Sequence, residues 1–210
     1  MSHWKFLLLA TLFQGGLLLA GFGIAVAAGV NLVFEVNSTA YFLGVLATLP
    51  MFGVFWYAMQ STWSPLQELR RILIGQLGPL IAPCSIPALI YVSLLAGFSE
   101  EILFRGAIQN GLLDRGWELA LAVIATNVLF GLCHAATRMY FGYAAVAGLY
   151  LSWVAGFSNQ NLAPAIVAHS LYDFVALWII RQRVRRHSDD VNGDSPDPSV
   201  PDVESSPSNA

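Results

Sequence analysis

The chain has 210 residues, of which 56% are hydrophobic and only 11% are charged. Soluble domains carry about 25% charged residues, so this composition is typical of a protein that lies largely in lipid. Ten Lys and Arg against thirteen Asp and Glu give a formal net charge of -3, and nothing in the sequence suggests nucleic acid as a partner, so we expect none.

Six apolar segments are long enough to cross a bilayer, which takes about 20 residues per helix. The apolar run after Lys5 continues to Val30 without a convincing cleavage pattern, so we expect a first spanning helix there and not a cleaved signal peptide. The predicted spans cover residues 4–30, 41–59, 81–108, 118–136, 140–157 and 162–180. The sequence therefore predicts an all-α, polytopic membrane protein with about six transmembrane helices.

Two further segments differ from the spans. In residues 64–80, Pro65 is followed by LQELRRILIGQL, whose charges and Leu/Ile side chains fall on opposite faces of a helix. This pattern predicts one amphipathic helix at the membrane interface. Residues 187–210 are rich in Ser and Pro and contain six of the thirteen acidic residues, which predicts a disordered cytoplasmic tail.

Lys and Arg are unevenly distributed between alternate loops. One set of loops carries eight basic residues and the other carries only Arg115, while Arg105 lies within a span. The eight are Lys5, Arg70, Arg71, Arg138, Arg181, Arg183, Arg185 and Arg186. Because cytoplasmic loops are enriched in Lys and Arg, we expect an integral plasma (inner) membrane protein with both termini in the cytoplasm.

Ionisable residues occur within the predicted third, fourth and sixth spans. They are Glu100, Glu101, Arg105, His134, His169 and Asp173. Each lipid-facing charge at mid-bilayer costs about 2.5–3.5 kcal/mol, even on the insertion scale. These side chains must therefore face one another or a water-filled cavity, and intramembrane ionisable residues are functional candidates by default.

Helical spacing gives these residues directions. Glu101 and Arg105 are four residues apart and can pair, whereas Glu100 is turned about 100° away from Glu101. Asn127, Phe130 and His134 fall on one stripe of the fourth span. His169 and Asp173 are again four apart, and the small residues within 142–148 allow helices to approach closely.

Three motifs together resemble the CPBP family of intramembrane peptidases, which includes CAAX prenyl endopeptidases and bacteriocin-processing or immunity proteins. The family motifs EExxxR, FxxxH and HxxxN or HxxxD correspond here to Glu100-Glu101-Ile-Leu-Phe-Arg105, Phe130-Gly-Leu-Cys-His134 and His169-Ser-Leu-Tyr-Asp173. The resemblance covers residues 80–182. It implies an N-terminal part at 1–80 and a catalytic helical core at 81–182, ahead of the tail.

The resemblance also implies roles. Glu100 is expected to act as the general base that activates water with help from His134, while His169 and position 173 stabilise the oxyanion. An ionised Asp173 would repel an oxyanion, so we expect Asp173 to orient His169 by accepting its ring N–H. Four residues are expected to support the site structurally: Glu101, Arg105, Asn127 and Phe130.

Metal involvement is a separate question. Glu100, His134 and His169 with a water would satisfy tetrahedral zinc, but there is no HExxH motif, and a glutamate mechanism without metal uses the same residues. We favour no cofactor, with zinc as the alternative. Cys84 and Cys133 form no CxxC pair and are expected to be buried free thiols.

The sequence-based hypothesis is an intramembrane endopeptidase that hydrolyses a peptide bond in a membrane-embedded or membrane-anchored protein or peptide. Two alternatives stay open: a non-enzymatic immunity or scaffold protein, and a proton-coupled transporter. A transporter would be expected to have matching halves with broken helices, and the sequence has no visible repeat. The Glu100→Gln variant distinguishes the first alternative from a peptidase: a scaffold should keep its function in this variant, whereas a peptidase should lose it.

Overall fold

The computed structural model describes residues 3–193, and side chains only for residues 3–186. Within this part, all regular secondary structure is helical. Its principal helices are α1 (His3–Ala28), α2 (Ser38–Gln60), α3 (Ser64–Ile72), α4 (Ile86–Asp114), α5 (Leu119–Cys133), α6 (Arg138–Phe157) and α7 (Leu162–Gly193). Five stretches are long and apolar enough to cross a membrane, namely α1, α2, α4, α6 and residues Leu162–Arg186 of α7. The all-α polytopic membrane fold is thus confirmed.

Side chains at the helix starts explain several boundaries. The side chain of Asn37 accepts a hydrogen bond from the backbone of Ala40 and caps α2, and Thr137 caps α6 in the same way through Tyr140. Ser85 caps α4, whose first turn contains Pro87. Such caps satisfy backbone N–H groups that have no partner within the helix.

The predicted interfacial helix begins at Ser64 as expected. After Ile72 it continues through a π-helical turn, Leu73–Leu77, into Gly78–Ile81. Leu66 and Leu69 are buried on its inner face, whereas Glu68 is exposed. This division between an apolar and a charged face is the one that the sequence predicts.

Helix α5 is shorter than the predicted fourth span over 118–136. Its fifteen residues rise about 22 Å, less than the roughly 30 Å hydrocarbon core. The helix ends because His134 adopts non-helical angles and its ring bonds back to the carbonyl of Phe130. Helix α5 is therefore a shorter apolar helix than the predicted span, and His134 lies at its end.

Helix α4 holds the central position, with α1 on one side, α7 on another and α5 against its second half. Close packing of α4 on α7 depends on Gly97, where a Cβ would lie within 3 Å of the Ser170 backbone nitrogen. The outer face of α1 exposes large apolar side chains such as Leu8, Leu12 and Leu19, as a lipid-facing helix should.

Two expectations about individual segments need correction. Cys84 is buried as expected, but Cys133 is exposed at the end of α5. The tail was expected to lack structure from residue 187, whereas α7 continues to Gly193. Residues 194–210, which make up the rest of that tail, lie outside the described part of the chain.

Candidate active site

Every candidate residue from the three motifs lies in one cluster where α4, α5 and α7 meet. Helix α4 supplies Glu100, Glu101 and Arg105, of which Glu101 and Arg105 are fully buried. The segment that follows Glu101, Ile102–Gln109, is π-helical. Short π-helical segments within α-helices occur frequently at functional sites.

Arg105 is held by groups from three helices. Its Nη1 donates to Glu101 Oε1 at 2.8 Å, and its Nη2 donates to Asn127 Oδ1 at 3.1 Å and to the Gly148 carbonyl oxygen at 2.9 Å. The guanidinium carbon also lies 4.7 Å from the centre of the Phe130 ring. The predicted Glu101–Arg105 pair therefore joins α4 to both α5 and α6.

The polar network continues beyond Asn127. Asn127 Nδ2 donates to Ser152 Oγ at 2.8 Å, and Ser152 donates to Gln109 Oε1 at 2.7 Å. All three side chains are buried. Satisfied buried networks of this kind are rigid, so Arg105 and Glu101 have a fixed frame.

His169 takes its orientation from Glu101. Its Nδ1 lies 2.8 Å from Glu101 Oε1, and because a carboxylate accepts, the ring donates through Nδ1. Its other nitrogen, Nε2, lies 3.6 Å from Asp173 Oδ2, which is beyond hydrogen-bond distance. The acceptor that orients His169 is thus Glu101 and not Asp173, which corrects the role expected for Asp173.

His134 faces the same space from α5. Its Nδ1 donates to the carbonyl oxygen of Phe130 at 2.8 Å, so a neutral ring carries its lone pair on Nε2. The ring lies 4.6 Å from that of Phe130, which also contacts His169 at 6.2 Å between centres. Phe130 therefore packs between the two histidines and the arginine.

Glu100 lies opposite both histidines. Its Oε2 is 4.0 Å from His134 Nε2 and 3.9 Å from His169 Nε2. Oε2 is buried and has no hydrogen-bond partner among residues 3–186. Polar atoms separated by about 4 Å leave room for a bridging water, and the cluster opens towards His134 and Asp173, whose side chains are 26% and 28% exposed.

Sequence reasoning missed the partner of the other carboxylate oxygen. Gln14 of α1 donates from Nε2 to Glu100 Oε1 at 2.9 Å. An amide in the middle of an apolar span costs free energy unless it is hydrogen-bonded, and that signal was present in the sequence. Ser152 of α6 was missed as well, and so was the contact of the Gly148 carbonyl with Arg105, because a hydroxyl and a backbone carbonyl carry no comparable signal.

The candidate zinc ligands do not have the spacing of a zinc site. Tetrahedral ligands at about 2.1 Å from zinc lie about 3.4 Å apart, whereas the Glu100–histidine separations are 3.9 and 4.0 Å. Within the described part of the chain, no group of three or more His, Cys, Asp or Glu side chains is arranged to hold a metal ion.

Comparison with known proteins gives a family match for part of the chain. Residues 82–175 match the family described as Type II CAAX prenyl endopeptidase Rce1-like. No curated protein and no solved structure matches the chain. The matched segment contains all three motifs and therefore Glu100, His134 and His169. Residues 82–175 therefore match the Rce1-like CAAX prenyl endopeptidase family, a family of membrane proteases, and this match supports the resemblance that the three motifs indicated.

Proposed function

We propose that this protein is an intramembrane endopeptidase in which Glu100 activates a water molecule. One observation carries the proposal: Glu100 Oε2 is buried without a partner among the described residues and faces Nε2 of two histidines from two other helices. A bound water needs two to four polar neighbours. These three atoms supply them beside a carboxylate that can take up a proton.

The proposed reaction uses each group once. Glu100 Oε2 removes one proton from the water as the water oxygen bonds to the scissile carbonyl carbon. His134 Nε2 accepts a hydrogen bond from the other O–H, which stays on that oxygen, and so orients the water. The resulting oxyanion accepts a hydrogen bond from Nε2–H of protonated His169. The C–N bond then breaks, and the proton on Glu100 passes to the leaving nitrogen, which restores the carboxylate.

The position of the site supports a class of substrate. The cluster lies among helices that are apolar enough to span a membrane, and its open side is formed by His134 and Asp173. A membrane-embedded or membrane-anchored protein or peptide can bring a peptide bond to this depth. We therefore propose such a substrate, cleaved by the helical core over 81–182.

Membrane topology is part of the same proposal. With basic residues concentrated on one set of loops, and with the shorter helix α5 as a sixth crossing beside the five long spans, both termini lie in the cytoplasm and the protein lies in the plasma (inner) membrane. A fluorescent protein fused to the C-terminus should be fluorescent, and a phosphatase that folds only outside the cytoplasm should be inactive there. The opposite result would contradict this topology.

Glu100→Gln is the decisive variant. It keeps the acceptor for Gln14 and the shape of the side chain but removes the base. Terminal-peptide proteomics of membranes from the source cell should show a defined set of processed termini with wild type that is lost with Glu100→Gln at matched protein levels. Glu68→Gln, which changes an exposed glutamate of α3, is the control and should leave these termini unchanged.

Unchanged termini with a folded and abundant Glu100→Gln variant would contradict catalysis. That outcome would favour the immunity or scaffold alternative, because a scaffold needs the shape of the side chain and not its basicity. A proton-coupled transporter would instead lose ion-dependent uptake, with no change in any terminus.

A further inference from the structure

Gln14 connects the first transmembrane helix to two consecutive residues of α4. Its Nε2 donates to Glu100 Oε1 at 2.9 Å, and its Oε1 accepts a hydrogen bond from the hydroxyl of Ser99. All three side chains are buried. The amide thus lies between a serine and the carboxylate of the proposed base, within a helix that is otherwise almost entirely apolar.

The chemistry of the two partners fixes the orientation of this amide. An ionised carboxylate can only accept, so the NH₂ group must face Glu100, and the amide oxygen then faces Ser99, which donates. Hydrogen bonds to an ionised acceptor in a low-dielectric environment are stronger than neutral ones. One oxygen of Glu100 is therefore committed to Gln14, and Oε2 is the oxygen left to face the histidines.

The packing of α1 holds Gln14 in this position. The buried residues of α1 are Gln14, Gly21 and Ala25, which lie on one face of the helix. At Gly21 an added Cβ would lie only 3.1 Å from the backbone of Leu103, so α1 packs tightly against α4. Close helix contacts of this kind restrict movement of the helix along its partner.

We propose that Gln14 is a positioning residue for the proposed reaction: by binding Oε1 it holds the Glu100 carboxylate so that Oε2 faces His134 and His169. This inference rests on the proposed peptidase function. Gln14 lies on α1, outside the matched segment 82–175. In this proposal the N-terminal helix therefore contributes to the geometry of the site, in addition to crossing the membrane.

Gln14→Met tests this role, because methionine has a similar length but cannot donate. The substrate is a synthetic peptide that spans a cleavage site lost in Glu100→Gln cells, and the full-length protein is reconstituted in liposomes. We expect kcat to fall by about 10- to 100-fold, since small misplacement of a reacting group costs up to about 100-fold. KM should change little because Gln14 does not contact the substrate.

Two further variants make the test specific. Ser99→Ala removes the donor that orients the amide and should lower kcat by a smaller factor. Thr11→Val is the control: Thr11 lies one turn away on α1 and its hydroxyl is 3.0 Å from that of Tyr91 on α4. Thr11→Val also breaks a polar contact between α1 and α4, but that contact does not involve Glu100 or Gln14, so kcat should be unchanged.

Coupling to Glu100 separates positioning from general support of the fold. In a Glu100→Gln background, Gln14→Met should cause no additional loss of residual rate, because both act through one group. Wild-type kcat in a folded Gln14→Met protein would overturn the inference while the peptidase function stood. An equal loss in Thr11→Val would also overturn it, by showing that docking of α1 matters and not the hydrogen bond.

The thermal unfolding midpoint shows which variants fold. If Gln14→Met does not fold, Ser99→Ala is the variant that tests the proposal. A wild-type protein that cleaves no peptide would contradict the proposed function itself, and the role of Gln14 with it. Failure of the Gln14 inference is distinguishable from failure of the proposed function, because the first is observed with a wild-type protein that cleaves the peptide and the second with one that does not.

Discussion

Glu101 Oε1 accepts two hydrogen bonds at 2.8 Å, one from Arg105 within α4 and one from Nδ1 of His169 on α7. A single carboxylate oxygen thus neutralises a buried guanidinium and also fixes the ring of a proposed catalytic residue. The Glu101–Arg105 pair, which the sequence indicates as structural, therefore also orients the proposed catalytic residue His169.

The first prediction concerns the stability that this pair provides. Glu101→Leu leaves Arg105 buried without its charge partner, and breaking a buried pair in this way costs about 3–5 kcal/mol of unfolding free energy. The double variant Glu101→Leu/Arg105→Met removes both charges and should recover much of that loss. Unfolding in detergent, followed by circular dichroism, measures both.

Equal unfolding free energies for wild type and Glu101→Leu would contradict this prediction. Cleavage activity gives a second readout. The double variant should fold, but it lacks the Glu101 carboxylate that binds Nδ1 of His169. We therefore expect the double variant to be folded and nearly inactive, which separates the two roles of Glu101.

The second prediction concerns Asp173, which is not hydrogen-bonded to His169. Because Glu101 already orients the ring, Asp173→Asn should keep activity within about 10-fold of wild type. His169→Ala removes the proposed oxyanion donor and should cost about 10²–10³-fold in kcat. Cleavage rates of the Glu100-dependent peptide compare the two, and equal losses would mean that the charge of Asp173 is essential.

The third prediction is that peptidase activity survives removal of divalent metal ions. The carboxylate and imidazole atoms of the cluster are 3.9–4.0 Å apart, wider than the roughly 3.4 Å between tetrahedral zinc ligands. Dialysis against a strong chelator should leave the rate unchanged, while a zinc-dependent peptidase in the same buffer loses activity. Loss of activity that added zinc restores would contradict the mechanism without metal.

Helical periodicity was sufficient to predict the Glu101–Arg105 pair and the separate direction of Glu100. The spacing of four between Glu101 and Arg105 holds in the structure, and the separate direction of Glu100 is what places it opposite the histidines. Hydropathy also predicted the spans, except that α5 ends early where His134 bonds back to the Phe130 carbonyl. These features depend on residues close together in the chain, so a single sequence contains them.

Contacts between helices could not be predicted in the same way. The partner of His169 is Glu101 on α4 and not Asp173 on its own helix, because Gly97 lets α4 and α7 approach at Ser170. The π-helical segment Ile102–Gln109 also shifts every later residue of α4 from the 3.6-residue register. The register of this segment depends on tertiary packing, which the spacing of residues in the sequence does not encode. The same holds for the hydrogen bond from Gln14 to Glu100.

The last prediction compares two glycines of α6. A Cβ at Gly148 would overlap Asn127 Oδ1 and lie 2.9 Å from Arg105 Nη2, whereas nothing lies within 4 Å at Gly142. Gly148→Ala must therefore push apart the groups that hold Arg105, and overpacking of this kind costs about 1–3 kcal/mol. Gly142→Ala adds only helix propensity, worth up to about 1 kcal/mol in favour of folding.

Unfolding midpoints and cleavage rates of the two variants test this comparison. Gly148→Ala should unfold earlier and cleave more slowly, because the chain of contacts from Gly148 through Arg105 and Glu101 ends at the ring of His169. Gly142→Ala should match wild type or exceed it in stability. If both variants behave alike, the hydrogen bond from Arg105 to the Gly148 carbonyl does not help to hold the site. Arg105 would then be held only by its hydrogen bonds to Glu101 and Asn127.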